Sequence, residues 1–450
     1  MLASSNTPLP FAVGDMQRPF AWTQQGSISL ETFLYHVRGM AALLPKHGYA
    51  MNLCKERYNF LVSFYAMAVC NGTTLLPSSH ALASIEQTHA AYPESFCITD
   101  TSLDLGRLPQ WPIPTTLPYK DGPIPCIDDN AIVAIGFTSG STAAPTAHPK
   151  TWKNLCICCT HNSAVIARYT KNKPAHLVAT VLPQHMYGLE LGAVMPVHTS
   201  ASIFTEQTFF SEDIVRALAC IPKPRILVTT PFHLRVLLES RCKLPSIAAI
   251  VSSTAPLAQS LASDASQRFA APICELLGAT ETLVYAWRDR ATDALWNPMD
   301  GVRIVAGESS HIYRDHLATA IHLMDQIATQ GDGRFALLGR SQDVIEVAGK
   351  RASLQDLTGH LLHIPGVEDG VILQLPAASE RGVARLAAAV VAPKATKKDI
   401  VEFLRQRIDP VFIPRRIRFV DILPRTPVGK IARADLLQLF ASSAGNQSAR

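Results

Sequence analysis

Four stretches of this 450-residue chain gather the residue types that handle phosphates, cations and charge transfer. The first, Thr138-Ser139-Gly140-Ser141-Thr142-Ala143-Ala144-Pro145, directly follows an apolar run at 131–137. Small hydroxylated residues around a glycine let backbone N–H groups and hydroxyls face one way, which suits a polyphosphate. No Gly-Lys-Ser/Thr follows, so this is not a Walker A loop; an ordinary polar strand-to-helix turn is the competing reading. The second, Leu277-Gly278-Ala279-Thr280-Glu281-Thr282, sets one acid after a glycine turn. A carboxylate combined with phosphate oxygens suits Mg²⁺; a helix N-cap, Thr280 or Thr282 with a nearby acid, is the alternative. The third is Asp325 with Gly339-Arg340. A carboxylate accepts both ribose hydroxyls, and an arginine binds ribose or phosphate, although each alone reads as surface charge. The fourth is Pro424-Arg425-Thr426-Pro427-Val428-Gly429-Lys430, where a lysine at the tip of a Pro/Gly-braced loop is either a point charge for phosphate or simply solvated.

Residues 131–135, 225–229 and 247–251 are short apolar runs of the buried-strand type, and 258–269 carries helical spacing. Strands alternating with helices predict a largely parallel α/β sheet. Upstream, 30–44 and 57–69 read as helices, 74–77 as a strand, and the Pro-rich 106–128 as a connecting loop. Near residue 340 the texture changes. A hairpin of 334–338 with 344–347, a helix at 354–363, strands at 370–374 and 386–392, a helix at 398–408 and a strand at 416–420 make a compact α+β unit. The boundary is placed at Arg340-Ser341-Gln342, giving domains 1–340 and 341–450.

Composition excludes several classes. Apolar residues make up 48% and charged residues 17%, with mean hydropathy +0.13, which rules out a disordered polyelectrolyte. A net charge of +5 fits attraction of small anions and argues for no nucleic-acid partner. The ten scattered cysteines form no disulfide framework and Met1-Leu2-Ala3-Ser4-Ser5 starts no signal peptide, so a reducing cytoplasm is expected. The apolar stretch 60–77 is broken by Asn71-Gly72-Thr73-Thr74 and is too short to span a bilayer. Cys156, Cys158, Cys159 and His161 lack metal-ligand spacing and read as a buried helix face. Gly331-Asp332-Gly333 reads as a hairpin turn, and His233 and His322 as structural histidines.

Taken in order, these segments resemble the adenylate-forming superfamily of acyl- and aryl-CoA synthetases, peptide-synthetase adenylation domains and luciferases. The resemblance runs from about residue 20 through TSGSTAAP, PQHMYGLE at 183–190, STAPL at 253–257, GATET at 278–282, Asp325, GRSQD at 339–343, VAGKR at 347–351 and PRTPVGK at 424–430. It implies a large N-terminal α/β adenylation domain with mainly parallel sheets and a small, mobile α+β C-terminal domain. It implies that Thr138, Ser139, Gly140, Ser141 and Thr142 wrap the β- and γ-phosphates of ATP and that Gly278 and Thr280 meet the nucleotide, Thr280 at the α-phosphate. Glu281 would hold Mg²⁺. Asp325 with Arg340 would hold the ribose, His185 would sit near the acid carboxylate and the thiol tunnel, and Lys430 would bridge carboxylate and α-phosphate. Gln342 takes the hinge position, usually acidic or Lys. Two departures stand out: Ala143 replaces a usual Gly, with the loop lysine arriving late as Lys150, and Leu277 replaces the aromatic that stacks on adenine.

The segments 18–79 and 138–152 look most like the short ligases of aryl-polyene and xanthomonadin-type pigment clusters. That implies a hydroxybenzoate-type small carboxylic acid loaded onto CoA or onto the phosphopantetheine of an acyl carrier protein. The acid site is then expected at Phe232, Ser253, Thr254 and Leu277, with Phe232 either forming a slot for the ring or merely starting a helix after Pro231. A medium-chain fatty acyl-CoA synthetase and a non-catalytic ligand-binding protein on the same scaffold are the alternatives.

Overall fold

The computed structural model describes residues 8–46, 48–138, 146–307, 310–317, 319–323, 325–340, 344–347, 350–375, 385–425, 431 and 433–441. The chain divides into two compact units, Met1–Ala294 and Leu295–Arg450. The strands from Val302 to Arg340 fall in the second of these units. Among the described residues no helix is long and apolar enough to cross a membrane.

The first unit is built on two sheets. One runs, edge to edge, through Thr146–Thr151, Ile132–Thr138, Thr73–Leu76, Tyr49–Asn52, Phe96–Thr99 and Gln110–Pro112, all parallel except the first. The other orders Leu283–Asp289, Ile273–Ala279, Ala249–Ser252, Arg225–Thr229, His176–Ala179, Ser202–Phe204, Pro19–Thr23 and Gly26–Ser29, parallel in its middle and antiparallel at these two ends. The continuous apolar runs of the central strands reflect burial on both faces. On one face the helices Ser211–Cys220, Pro231–Glu239 and Gln259–Phe269 lay Ile214, Leu218, Leu234, Leu237 and Ala262 against Val178, Leu227, Ile250 and Ile273. Elsewhere the helices Leu30–Ala41, Arg57–Val69 and Trp152–Thr170 share a nest of rings. Phe11 meets Tyr65 edge-on at 4.4 Å and Phe20 stacks on Phe33 at 4.0 Å. Each such buried ring contributes about 2–3 kcal/mol. Cys156, Cys158 and Cys159 are buried on the Trp152–Thr170 helix, as its apolar face requires.

The helix starts follow from capping. The Ser29 hydroxyl accepts the Thr32 N–H and the Thr151 hydroxyl accepts the Asn154 N–H, each satisfying an otherwise unpaired first-turn donor. In the second unit a sheet of Asp369–Leu375, Arg385–Val391 and Arg416–Phe419 is covered on one face by Leu354–Leu362 and Lys397–Arg405, and on the other by Arg433–Ala441.

Several expectations need correction. The strands on either side of the Ser/Thr-rich segment, Ile132–Thr138 and Thr146–Thr151, pair antiparallel, so a strand and not a helix follows at Thr146. Pro149 is tolerated in the second strand because that strand is the sheet edge. Thr280-Glu281-Thr282 caps no helix; it turns the chain between two antiparallel strands. Strand Phe335–Arg340 pairs with Asp325–Thr329, not with Val344–Val347, which pairs instead with Lys350–Ser353. The Gly331-Asp332-Gly333 turn closes that first hairpin, the Asp332 carboxylate accepting the Arg334 N–H at 3.0 Å and its guanidinium at 2.7 Å. The expected loop 106–128 contains strands Gln110–Pro112 and Cys126–Asp128. The helix expected to reach 408 is regular to Arg405, and the Ile408 N–H still bonds the Leu404 carbonyl in the turn beyond it.

Candidate active site

Three of the singled-out segments meet at one place in the first unit. Gly136, on the strand entering the Ser/Thr-rich loop, is packed so closely that a Cβ there would lie 2.7 Å from the Thr280 methyl and 2.9 Å from the Met186 methyl. The strand before the loop, the GATET turn and the HMYGL helix are thereby locked in contact. Two residues on, Thr138 Oγ1 is 3.0 Å from His148 Nε2, tying the two strands that flank the loop. Lys150, two residues further and buried to 4% exposure, donates from Nζ to the Glu281 carbonyl at 3.1 Å. The late lysine thus sits beneath the acid turn, a placement only the pairing of the two strands makes legible. Burial lowers the His148 pKa, opposed by the nearby Glu281 carboxylate and reinforced by Lys150. The Glu281 side chain is half-buried and has no hydrogen bond or ion pair among the described residues.

The acid turn is over-determined. Ala279 donates its N–H to Thr282 Oγ1 at 2.9 Å, and that hydroxyl donates to the Leu283 carbonyl at 2.8 Å. The pairing of the two strands slips between Leu277 and Gly278, a bulge of the kind that re-aims side chains beside active sites. His185 occupies the N-cap position of Met186–Leu189, its carbonyl accepting the Leu189 N–H at 2.7 Å. At the carboxyl end of Ala249–Ser252, Ser253 Oγ donates to the Leu276 carbonyl at 2.8 Å, joining two expected acid-site stretches. Thr254 adopts φ +81°, rare for a β-branched residue, and its hydroxyl is buried without a hydrogen-bond partner among the described residues. Pro231 opens a helix capped by Thr230, with His233 Nδ1 2.9 Å from Thr230 Oγ1; Phe232, on that first turn, is 41% exposed. These are the helix-start features weighed against a ring slot.

A family model for AMP-binding enzymes matches residues 60–305, and one for the C-terminal domain of AMP-binding enzymes matches 361–430. The chain belongs to the AMP-binding enzymes. A 4-coumarate–CoA ligase of Cereibacter sphaeroides is 28% identical over 302 residues, covering 66% of this chain and 69% of that one. A 3-hydroxybenzoate–CoA/4-hydroxybenzoate–CoA ligase of Thauera aromatica is 23% identical over 355 residues, covering 67% of this chain and 66% of that one. The fold matches the solved structure of O-succinylbenzoate coenzyme A synthetase from Bacillus subtilis in complex with ATP and magnesium ion, at a TM-score of 0.80 and 15% identity. That match covers 93% of this chain and 96% of that one.

This AMP-binding enzyme is accordingly an AMP-forming ligase of the acid–thiol class. Its first unit offers Thr138, Thr280 and Glu281 around one loop mouth, a donor set that fits a phosphate chain with a magnesium ion. In the second unit the hairpin register sets Asp325 directly opposite Arg340, fifteen residues on in sequence. Ser139, Gly140, Ser141, Thr142, Gln342 and Lys430 lie outside the described residues. Sequence reasoning passed over His148 and Glu190. The signal for His148 was the alternation of Thr146 to Thr151, which marks a strand returning from the loop.

Proposed function

We propose that this AMP-binding enzyme adenylates a small hydroxylated aryl acid with ATP and then transfers the acyl group to the thiol of CoA or of a carrier-protein phosphopantetheine. The observation that carries the first half is the packing of Thr280 onto Gly136, with Lys150 under Glu281, at the mouth of the Ser/Thr-rich loop. In the first step a carboxylate oxygen attacks the α-phosphorus, the bond to the β-phosphate oxygen breaks, and pyrophosphate leaves with the electron pair. Thr138, Ser139, Gly140, Ser141 and Thr142 would cradle the departing phosphates, Thr280 would meet the α-phosphate, and Asp325 and Arg340 would hold the ribose. Lys430 would neutralise charge between carboxylate and α-phosphate. A magnesium ion held by Glu281 supplies neutralisation of the phosphate oxygens. In the second step a thiolate attacks the acyl carbon and AMP leaves; His185 is assigned to the acid and thiol side.

The aryl preference rests on three supports. Relatives include a 4-coumarate–CoA and a hydroxybenzoate–CoA ligase. The 18–79 and 138–152 segments resemble the pigment-cluster ligases. The Thr254 hydroxyl, which has no hydrogen-bond partner among the described residues and follows Ser253 in the expected acid site, suits a substrate with a polar group of its own. All ten cysteines are free thiols, which supports the cytoplasm as the compartment. Acid-dependent ATP–pyrophosphate exchange with 3- and 4-hydroxybenzoate, benzoate and decanoate tests the reading, followed by thioester assays with CoA and a phosphopantetheinylated carrier. The highest kcat/KM with a hydroxybenzoate is expected. The highest value with decanoate would establish the medium-chain fatty acyl reading, and no exchange with any acid the non-catalytic one.

A further inference from the structure

Glu190 is a carboxylate in the interior, 1% exposed, with no role in the chemistry above. It opens a π-helical stretch, Glu190–Val194, directly after the short helix Met186–Leu189. Such π-bulges concentrate at functional sites, since the extra residue re-aims a side chain. Here it aims the carboxylate at the strand that follows the acid turn. Both carboxylate oxygens lie 3.2 Å from the Val284 nitrogen and accept its N–H. Asn162, buried on the Trp152–Thr170 helix, donates from Nδ2 to the same carboxylate at 3.2 Å. The Glu190 carbonyl accepts the Cys159 thiol at 3.2 Å.

Burying a carboxylate is costly unless it is paired or well hydrogen-bonded. An amide or an apolar side chain would fill the space at lower cost, so the charge needs a reason. The turn provides one. Leu283, one residue before the bonded amide, sits at φ +56°, a conformation that costs an L-residue about 1 kcal/mol or more. Gly278 faces it so closely that a Cβ would lie 2.7 Å from the Leu283 carbonyl. A charged acceptor on the next N–H holds the chain in this kink more firmly than a neutral one. The kink in turn sets where Thr280 and Glu281 stand relative to Gly136 and Lys150.

We propose that Glu190 is a positioning residue, a buried carboxylate clamp on the Val284 amide that fixes the Thr280–Glu281 turn for MgATP. The inference rests on the reading of that turn as the nucleotide and magnesium site. Glu190→Gln keeps the shape and removes the charge, and one of its amide hydrogens must face Val284 N–H or Asn162. MgATP affinity, measured by calorimetry without acid, should fall about tenfold. The KM for MgATP should rise similarly and the magnesium concentration for half-maximal exchange should increase, with the KM for the acid unchanged. Glu190→Asp, which keeps the charge, should recover part of the MgATP affinity. A merely structural Glu190 would lower the melting temperature while leaving MgATP affinity intact, and that result in Glu190→Gln overturns the clamp. Should Glu190→Gln not fold, Glu190→Asp decides: wild-type MgATP affinity and magnesium dependence in that variant overturn the clamp, and weakening of both supports it. Failure of the wild-type protein to bind MgATP overturns the functional reading itself, and the clamp with it.

Discussion

Thr254 is costly to the fold, and the proposed acid site gives that cost a use. Its φ of +81° and its buried hydroxyl, without a partner among the described residues, are both unfavourable, and strain of this kind gathers where a ligand is held. Thr254→Gly should therefore stabilise the protein by about 1 kcal/mol, read as a higher urea midpoint. The same change should raise the KM for a hydroxybenzoate about tenfold and leave benzoate nearly unaffected. Equal effects on both acids would remove the hydroxyl from substrate recognition. Lys430 tests the opposite end of the chain. Lys430→Ala should reduce acid-dependent ATP–pyrophosphate exchange about a hundredfold or more, because one placed cation at developing charge contributes on that order. Thioester formation from a supplied acyl-adenylate should change much less. Undiminished exchange would refute the assignment.

Among the elements, the contact between the loop-entry strand and the acid turn is the most sensitive to volume. Gly136→Ala inserts a methyl 2.7 Å from the Thr280 methyl and 2.9 Å from the Met186 methyl. The Met186 end can swing aside; the hydrogen-bonded turn behind Thr280 yields less easily. Overpacking of this kind costs about 1–3 kcal/mol, so a lower melting temperature is expected together with a KM for ATP raised about tenfold. Loss of stability with an unchanged KM would show that Thr280 does not meet the nucleotide. Much at this scale was legible beforehand. The helix at 57–69 and the strands at 225–229 and near 249–252 lie where periodicity placed them, because a 3.6-residue or continuous apolar pattern is a local property. The partner of Phe335–Arg340 was not, because strand pairing depends on which turn closes first and which faces need cover.

For the molecule as a whole, half-buried histidines set the acid limit. Burial lowers the pKa values of His148, His176, His198 and His233 below 6.5, so the fold keeps them neutral. The unfolded chain protonates them near 6.5, so unfolding takes up protons below that pH. Their contribution is complete above pH 6.5 and is lost progressively as pH falls toward the lowered folded values. The melting temperature should hold from pH 8 to 7 and decline from 6.5 to 5, and His148→Gln should make the decline shallower. A decline equally steep in that variant would show that His148 is not among the groups responsible.

The order of the motifs along the chain identified the family, because each phosphate, ribose or metal contact demands a particular residue type at a particular turn, and residue types are visible in a sequence. The apolar runs likewise determined a largely parallel α/β body with an α+β unit after it, since burial on two faces leaves an unbroken hydrophobic signature. Only the tertiary structure decided that the strand after the Ser/Thr-rich segment pairs antiparallel with the strand before it and carries Lys150 under Glu281. It alone set Asp325 against Arg340 and clamped Val284 with Glu190, ninety-four residues away in the chain. Those meetings depend on packing between distant segments, where hydrogen bonds and close contacts are chosen by the whole fold, and no local pattern encodes them.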